Sequence, residues 1–387
     1  MTRPAPALGV YVHWPYCARI CPYCDFNVVR DRGKVAEQAA LVRAILDDLR
    51  AQRALTGPRT LVSIFLGGGT PSLMDPAAAA EIITLARSLW TPRIGSGGLE
   101  VTLEANPTDA ETDRFAAFAQ AGVTRLSLGV QALDDASLAF LGRNHDAAAA
   151  RRAAAVAGKV FPRLSLDLIY ALPGQTEADW SEALAAALDL GPEHLSPYQL
   201  TLEPGTAFDR AVRRGRFQPA DEIRSEALFN LTQAVLEGAG FDAYEVSNHA
   251  RGETARSRHN LVYWQGEDYV GAGPGAHGRL TLDGRRTATA AARGIGDYIA
   301  AVGTDGNGFA AEILAPREAA EERLLMGLRI DQGVAFAELE PLGLTPASPV
   351  VADLVAQGLL TPGNDRLRAT RSGRLVLDWL TGKLAVS

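Results

Sequence analysis

The chain has 387 residues, of which 47% are hydrophobic and 21% are charged, and its formal net charge is −7. These fractions are those of a globular protein with enough length to bury a sizeable core. A net negative charge argues against a nucleic-acid-binding surface, because nucleic-acid phosphates attract basic patches.

The N-terminal stretch and the hydropathy along the chain argue against secretion and membrane insertion. "MTRPAPALGVYVHW" has no long apolar run after its basic start, as a secretory signal would. No segment approaches the roughly 18 apolar residues of a membrane-spanning helix. We therefore expect a cytoplasmic protein that is not an integral membrane protein, in a compartment where thiols stay reduced.

Apolar, strand-like runs alternate with Ala/Leu-rich helical stretches from Gly9 onward. The predicted strands are 9–14, 61–68, 99–105, 125–131, 164–172 and 194–202, and the predicted helices are 33–53, 76–90, 109–120, 146–158, 176–189 and 220–239. Six strand–helix repeats predict an α/β protein with a parallel sheet. Parallel strands are covered on both faces, which explains their nearly continuous apolar character.

The rhythm changes after Gly240, where glycine, histidine and aromatic residues become frequent. The chain is again helical from about Ala315. We predict a first domain over 1–310 and a small mixed α/β domain, similar to a winged helix, over 311–387.

All cysteines of the chain lie in "YCARICPYCDFN", at Cys17, Cys21 and Cys24. Structural zinc usually takes four ligands, and here a second pair is missing. A redox pair would leave Cys17 without a role. Three thiolates on one loop can instead hold three corners of a 4Fe-4S cluster, which normally has four cysteine ligands. The C-x3-C-x2-C spacing after a first strand is the signature of radical S-adenosylmethionine (SAM) proteins, in which SAM binds the open iron.

Polar residues recur where the predicted strands end. They are Glu104, Gln131, Asp167 and Thr201, and glycines 67–69 follow the second strand. In parallel α/β folds the ends of the strands form one edge, where ligands bind. Glycines there let the backbone approach a ligand closely. The sequence therefore predicts a common site at this edge.

The motifs together resemble the family of oxygen-independent coproporphyrinogen III oxidases and the related HemW-type haem chaperones. They are "YVHWPYCARICPYCDF", "GGGTPS", "LEANP", "LSLGVQ", "GRNHD", "DLIYALPGQT" and "SRHNLVYW" with "GAGPGAHG". The resemblance covers essentially the whole chain. It implies an incomplete (β/α)6 radical SAM barrel that carries a 4Fe-4S cluster and S-adenosyl-L-methionine.

The resemblance also implies roles for individual residues. The positions that match residues around the cluster-bound SAM are Tyr11, Gly69, Glu104 and His277, and those that match an adjoining pocket are Thr70, Gln131, Arg143, Asp167 and Thr201. Tyr23 fits the aromatic residue that often precedes the last cysteine. The carboxylates could accept hydrogen bonds from ribose hydroxyls, and an arginine could pair with a carboxylate.

"RHNLVYW" offers groups that suit haem, namely His259, Tyr263 and Trp264. Histidine is a common haem ligand, and aromatic rings offer flat apolar surface. A buried, hydrogen-bonded histidine in the core is the alternative interpretation of His259.

One departure separates the two branches of the family. The oxidase has a fourth cysteine two residues after the third, where this chain has Phe26, and it carries an N-terminal extension. The sequence therefore predicts a haem chaperone, with haem as cargo and acceptor apo-haemoproteins as partners. Transient contact with membrane haemoproteins is expected, as is a monomer or a homodimer. The alternatives are an oxygen-independent coproporphyrinogen III dehydrogenase and a zinc-binding interaction module.

Overall fold

The protein is described by a computed structural model over residues 6–95 and 98–386. Its main sheet contains seven parallel strands, followed and flanked by antiparallel ones. In chain order the strands are β1 Ala7–Trp14, β2 Thr60–Gly68, β3 Glu100–Ala105, β4 Arg125–Gln131, β5 Arg163–Tyr170, β6 His194–Gln199, β7 Asp242–Glu245, β8 Asn248–Ala250, β9 Asp268–Ala272, β10 His277–Leu282, β11 Arg285–Ala291 and β12 Phe309–Ile313.

The described strands follow a linear path in the order β7-β8-β6-β5-β4-β3-β2-β1-β9-β10-β11-β12. Strands β1 to β6 and β9 are parallel to their neighbours within this run. The path does not return to its start, so the sheet is an open, incomplete barrel, as predicted. A short strand, Thr91–Pro92, adds a pair to the start of β2.

Helices connect the strands and cover the sheet. In chain order they are α1 Val35–Thr56, α2 Pro76–Leu89, α3 Asp109–Thr112, α4 Phe115–Gln120, α5 Asp135–Phe140, α6 Ala147–Val160, α7 Glu177–Leu188, α8 Ala207–Arg213, α9 Glu222–Gly238, α10 Arg258–Trp264, α11 Ile295–Asp305, α12 Pro316–Gly327, α13 Pro349–Ala356, α14 Arg371–Leu375 and α15 Leu377–Ala385. Several begin at side-chain caps, and α7 has a full capping box between Thr176 and Asp179. No described helix is both long enough and apolar enough to cross a membrane.

The six predicted strands are confirmed, with ends within a few residues of their predicted positions. The predicted helix 109–120 is two shorter helices, α3 and α4. The prediction missed β9, a five-residue strand that lies beside β1 and extends the parallel sheet. Its sequence, "DYVGA", is short and contains glycine, so its position depends on tertiary pairing more than on local propensity.

The turn after β9 packs against the start of the cysteine segment. Gly273 has φ 108°, and a Cβ there would lie 2.3 Å from the carbonyl oxygen of His13, so glycine is required. The Asn27 amide donates hydrogen bonds to the carbonyls of Pro274 (2.9 Å) and Arg293 (3.0 Å). "GAGPGA" is therefore a tight structural turn that ties the late strands to the cysteine loop.

The C-terminal segment has its own apolar cluster, which includes Leu324, Leu354 and Leu380. It combines helices with a two-stranded antiparallel pair, Val334–Ala335 with Arg366–Leu367, as the mixed α/β prediction requires. The boundary between 310 and 311 stays a prediction.

A buried carboxylate fixes the position of α10. Glu100, at the start of β3, is 2% exposed and accepts hydrogen bonds from the backbone N–H groups of Arg258 (3.2 Å) and His259 (3.1 Å). Burial alone would raise the pKa of Glu100, but the positive charges of Arg125 and Arg163 outweigh it and lower the pKa. The charge is thus compensated, and it anchors the N-terminal end of α10.

We expect Glu100→Gln to lower the free energy of unfolding by about 3 kcal/mol, because it leaves buried arginines without their counter-charge. Urea denaturation measures this change. The matched control is Glu237→Gln, which breaks a pair with Arg371 whose side chains are 68% and 57% exposed. It should cost less than about 1 kcal/mol. Equal losses in the two variants would contradict the anchoring role of Glu100.

Candidate cofactor site

The cysteine loop is closed by a short parallel pair of strands, Tyr16–Cys17 with Val29–Arg30. The backbone N–H of Asp31 donates to the Cys17 carbonyl at 2.8 Å, and that of Cys24 donates to the Cys21 carbonyl at 3.2 Å. Cys17 is buried, whereas Cys21 and Cys24 are half-buried. The loop therefore presents three thiols from a backbone held at both ends.

The glycine turn after β2 is hydrogen-bonded directly to this loop. The N–H of Gly69 donates to the Trp14 carbonyl (2.8 Å), and that of Thr70 donates to the Tyr16 carbonyl (2.9 Å). A Cβ on Gly69 would lie 2.7 Å from the Tyr16 carbonyl oxygen, closer than backbone atoms tolerate. Glycine at this position permits the close approach of two backbones.

Both segments open onto a cavity of about 580 Å³, the cysteine cavity. The predicted site residues that line it are Cys17, Cys21, Cys24, Tyr23, Gly69, Thr70, Glu104, Gln131, Arg143, Asp167 and Thr201. They come from the cysteine loop, from β2 to β6 or the turns that follow these strands and, for Arg143, from the segment between α5 and α6. The parallel sheet thus brings together residues that lie up to 184 positions apart in the sequence (Cys17 to Thr201).

Arg143 connects the cysteine loop to the strand ends. Its guanidinium donates to Cys21 Sγ at 3.2 Å, to the Tyr23 hydroxyl at 3.3 Å and to the Gly129 carbonyl at 3.1 Å. It also donates to Asn106 Oδ1. The buried Nε has no hydrogen-bond partner among the described residues, so one donor remains for a bound anionic group.

Two carboxylates lie deep in the same cavity. Burial raises the pKa of Glu104 to about 8, and the nearby charge of Asp167 adds to this shift. Burial likewise raises the pKa of Asp167 to about 6. Glu104 accepts a hydrogen bond from the Gly68 N–H (3.1 Å), and Asp167 accepts one from the Ser127 hydroxyl (3.0 Å). Free acceptor capacity remains on both for ligand hydroxyls.

Gln131 has φ 67° at the end of β4, where the pairing register with β5 shifts. A left-handed conformation is strained for a residue with a side chain. The surrounding strands hold it, and the side chain faces the cavity.

The donor set suits a cluster better than a single ion. Burial raises the pKa of Cys17 to about 11 and also raises the pKa of Cys24, so the thiols need a compensating metal charge to ionise. Among residues 6–95 and 98–386, no group of three or more His, Cys, Asp or Glu side chains is arranged to hold one metal ion. In a 4Fe-4S cube each thiolate binds a different iron atom, so the sulfurs need not meet at one point.

A second, larger cavity of about 1160 Å³ adjoins the first, and we call it the aromatic cavity. Phe26, Gly68 and Glu104 line both cavities. The predicted residues that line the aromatic cavity are Tyr11, Tyr263, Trp264 and His277. The predicted SAM residues Tyr11 and His277 therefore face this cavity, on the other side of Glu104.

His259 lies behind the wall of the aromatic cavity and lines neither cavity. Its Nδ1 is hydrogen-bonded to the Ser63 hydroxyl (2.8 Å) and its Nε2 to the Tyr263 hydroxyl (2.6 Å). Burial lowers its pKa to about 3, so the ring is neutral. Coordination of iron by His259 would require one of these bonds to break, and its role in haem binding stays a prediction.

The sequence interpretation missed residues that position the predicted ones. His13 accepts a hydrogen bond from the Tyr11 hydroxyl (2.9 Å) and donates one to the Asn27 carbonyl (2.8 Å). Asn106 donates to Thr70 Oγ1 at 3.0 Å. Asn106 follows β3 directly, so the rule that placed Glu104 at the site could have found it. Nothing in the local sequence of His13 or Asn27 indicated their contacts.

The raised pKa of Glu104 predicts a pH dependence of stability. Its pKa is higher in the folded protein than in the unfolded chain, so its contribution is fully present below about pH 4.5 and is lost as the pH rises towards about 8. Glu104→Gln should remove this loss, worth on the order of 3 kcal/mol between about pH 5 and about pH 8. Urea denaturation without added cofactors measures it.

The control for this measurement is Glu81→Gln, which changes an exposed glutamate on α2. It should follow the wild type at every pH. A pH dependence of Glu104→Gln equal to that of the wild type would show that Glu104 does not titrate in this range.

Comparisons with known proteins agree with this arrangement. The radical SAM superfamily matches residues 11–187, and the HemN C-terminal domain matches residues 314–376. The crystallographic relative coproporphyrinogen III oxidase (HemN) from Escherichia coli superposes with a TM-score of 0.80 at 21% identity, covering 99% of this chain and 91% of that one. This likeness shows the fold.

Sequence relatives are closer. The chain is 41% identical to radical S-adenosyl methionine domain-containing protein 1, mitochondrial, of Bos taurus, over 97% of this chain and 88% of that protein. It is 36% identical to heme chaperone HemW of Mycobacterium tuberculosis, over 97% of this chain and 94% of that protein. On the fold, the cysteine loop and these relatives, the chain belongs to the HemW family of the radical SAM superfamily.

Proposed function

We propose that this protein is a haem chaperone, which binds haem and transfers it to acceptor apo-haemoproteins, with a 4Fe-4S cluster and SAM as cofactors. The observation that carries this proposal is the pair of adjoining cavities. One is lined by thiols, carboxylates and an arginine, and the other is larger and combines aromatic side chains with charged ones in its wall. Phe26 lies between them.

The cysteine cavity supplies the groups that the cofactors need. Cys17, Cys21 and Cys24 would hold three irons of the cluster, and the fourth iron would remain for the amino and carboxyl groups of SAM. A reduced cluster supplies an electron to the sulfonium group when both are bound. Arg143 would bind the carboxylate of a second ligand, and Glu104 and Asp167 would accept hydrogen bonds from ribose hydroxyls.

The aromatic cavity fits a flat, apolar ring. Cavities of about 300–1,000 Å³ hold drug-sized ligands, so its volume of about 1160 Å³ leaves room for a tetrapyrrole. Tyr263, Trp264 and Tyr269 supply aromatic surface in its wall. The buried Trp264 Nε1 lacks a hydrogen-bond partner among the described residues. In this geometry His259 would act by holding the Tyr263 hydroxyl.

The names of the relatives and the residue at position 26 support a chaperone over an oxidase. Bacterial relatives that cover nearly the whole chain carry the name heme chaperone HemW. Phe26 stands where the oxidase has its fourth cysteine, and it is 63% exposed at the junction of the two cavities. Coproporphyrinogen III dehydrogenation is the second candidate, since the fold is also that of the oxidase.

A cytoplasmic location, the identity of the acceptor and a monomeric or dimeric state remain expectations.

Removal of one thiol should abolish the cluster. We expect anaerobic reconstitution of the wild type with iron and sulfide to give a broad visible charge-transfer band, and we expect Cys21→Ser to retain little iron or sulfide. Phe26→Ala, in the same loop, is the control and should keep both. A wild type that takes up only zinc would refute the cluster assignment and favour a zinc-binding module.

Loss of the aromatic wall should weaken haem binding. Trp264→Ala removes a large apolar contact, so the Kd for haem should rise about tenfold. Absorbance titration measures the Kd, and mixing haem-loaded protein with an apo-haemoprotein measures transfer. Trp379→Ala on α15, where the side chain is 51% exposed and lines neither cavity, is the matched control.

Two outcomes would contradict the proposal. The first is the absence of saturable haem binding and of transfer by the reconstituted wild type. The second is anaerobic conversion of coproporphyrinogen III to protoporphyrinogen, which would establish the oxidase instead.

A further inference from the structure

We infer that Arg285 recognises a haem propionate, and that this contact sets the orientation of the porphyrin in the aromatic cavity. The inference rests on the proposed haem binding. It concerns the end of the cavity that would bind the polar edge of haem, whereas Tyr263 and Trp264 belong to the apolar wall.

A tight hairpin fixes the position of Arg285. Strands β10 and β11 pair in register from His277 with Ala290 to Leu282 with Arg285. The two residues between them, Asp283 and Gly284, have φ 49° and 74°. Positive φ at both central residues is typical of a type I′ turn, the connection that best matches the twist of paired strands. The backbone of Arg285 is therefore held at the end of a short, regular hairpin.

Arg285 projects from this hairpin into the wall of the aromatic cavity. Arg285 is exposed and lines the cavity, as does Ile313, which is 50% exposed at the end of β12. Ile313 pairs with Thr287 of β11, so the two strands form one edge of the site. An exposed apolar residue and a guanidinium thus both line the cavity from this pair of strands.

The other arginines of the cavity wall are already paired. Arg279 forms a forked contact with Glu322 (2.7–3.0 Å), and Arg323 binds Glu338 at 2.6 Å. Arg286 binds Asp268 at 2.8 Å. Within the part of the chain that the structure describes, the side chain of Arg285 has no hydrogen bond or ion pair. Its five N–H donors are available for a ligand.

The same pairs neutralise two of the five glutamates that line this cavity. Glu322 and Glu338 are bound by arginines, and Glu318 accepts the backbone N–H of Ala315 at 2.8 Å as the cap of α12. Glu340 lies on the C-terminal segment. At the hairpin, Arg285 is the charged residue that lines the cavity, whereas the exposed carboxylate of Asp283 in the turn does not line it.

A haem molecule has apolar and charged parts that match the aromatic residues and the arginine of this cavity. Its ring faces are apolar, and its two propionates lie on one edge and are ionised at neutral pH. A guanidinium binds a carboxylate through two parallel hydrogen bonds, which fixes direction as well as affinity. With the ring against Tyr263, Trp264 and Tyr269, the propionate edge would meet the hairpin end of the cavity, where Arg285 lies.

The test compares haem with haem dimethyl ester, which has the same iron and ring but no ionised propionate. Both are titrated into wild type, Arg285→Ala and Arg285→Lys. The wild type should bind haem about tenfold more tightly than the ester. Arg285→Ala should lose this preference because its haem affinity falls while its ester affinity stays the same, and Arg285→Lys should keep part of it. Arg43→Ala, an exposed arginine on α1 that lines neither cavity, is the control and should match the wild type.

The outcomes separate this inference from the proposed function. Saturable haem binding by the wild type with equal affinity for the ester, or a preference that survives in Arg285→Ala, would overturn the propionate assignment and leave the chaperone proposal standing. No saturable binding of either porphyrin by the wild type would overturn the proposed function and this inference with it.

Discussion

The whole site depends on the contact between two backbone turns. The glycine turn after β2 donates the N–H groups of Gly69 and Thr70 to carbonyls at the start of the cysteine loop. The approach is so close that a Cβ on Gly69 would collide with backbone atoms. Because backbone, and not flexible side chains, makes this contact, the thiols keep a fixed position relative to the edge of the parallel sheet. The residues that follow in the parallel strands, such as Glu104, Gln131 and Asp167, then line a cavity whose opposite wall is the cysteine loop.

The two cavities differ in the side chains that line them, and so in the ligands that they suit. In the cysteine cavity, burial raises the pKa values of Cys17, Glu104 and Asp167, because their charged forms lose the stabilisation that water gives. Such an arrangement is costly unless a ligand completes it. In the aromatic cavity, the half-buried rings of Tyr263, Trp264 and Tyr269 leave apolar surface uncovered. A cofactor and a flat apolar ring would each satisfy one of these two surfaces, and Glu104 and Phe26 line both.

The sequence was most informative where a rule of the fold applied directly. Six alternating strands and helices predicted the parallel sheet, and the family resemblance implied the incomplete barrel. The carboxyl ends of parallel strands predicted that Glu104, Gln131, Asp167 and Thr201 would meet. The same patterns gave no account of β9, whose place beside β1 comes from pairing between distant segments. The hairpin that carries Arg285 was also missed, because Asp283-Gly284 is a local turn signal but its partner wall comes from β12 and the C-terminal segment.

His259 shows why a residue type alone does not define a role. The sequence around His259 was equally compatible with a haem ligand and with a buried core residue. It gave no indication that Glu100, at the start of β3, holds the backbone of α10. With α10 fixed, the imidazole lies between Ser63 and Tyr263, stacked on Phe65 with 4.9 Å between ring centroids. A neutral imidazole in this position orients the Tyr263 ring, and Arg329 lies 4.8 Å from the centroid of the neighbouring Trp264. Two separate contacts therefore position the aromatic residues. Buried hydrogen bonds through His259 hold Tyr263, and Arg329, from the C-terminal segment, lies over the ring of Trp264. Arg329 is itself held by an ion pair with the buried Glu245 (2.6 Å), so the position of the Trp264 ring is coupled to the end of β7.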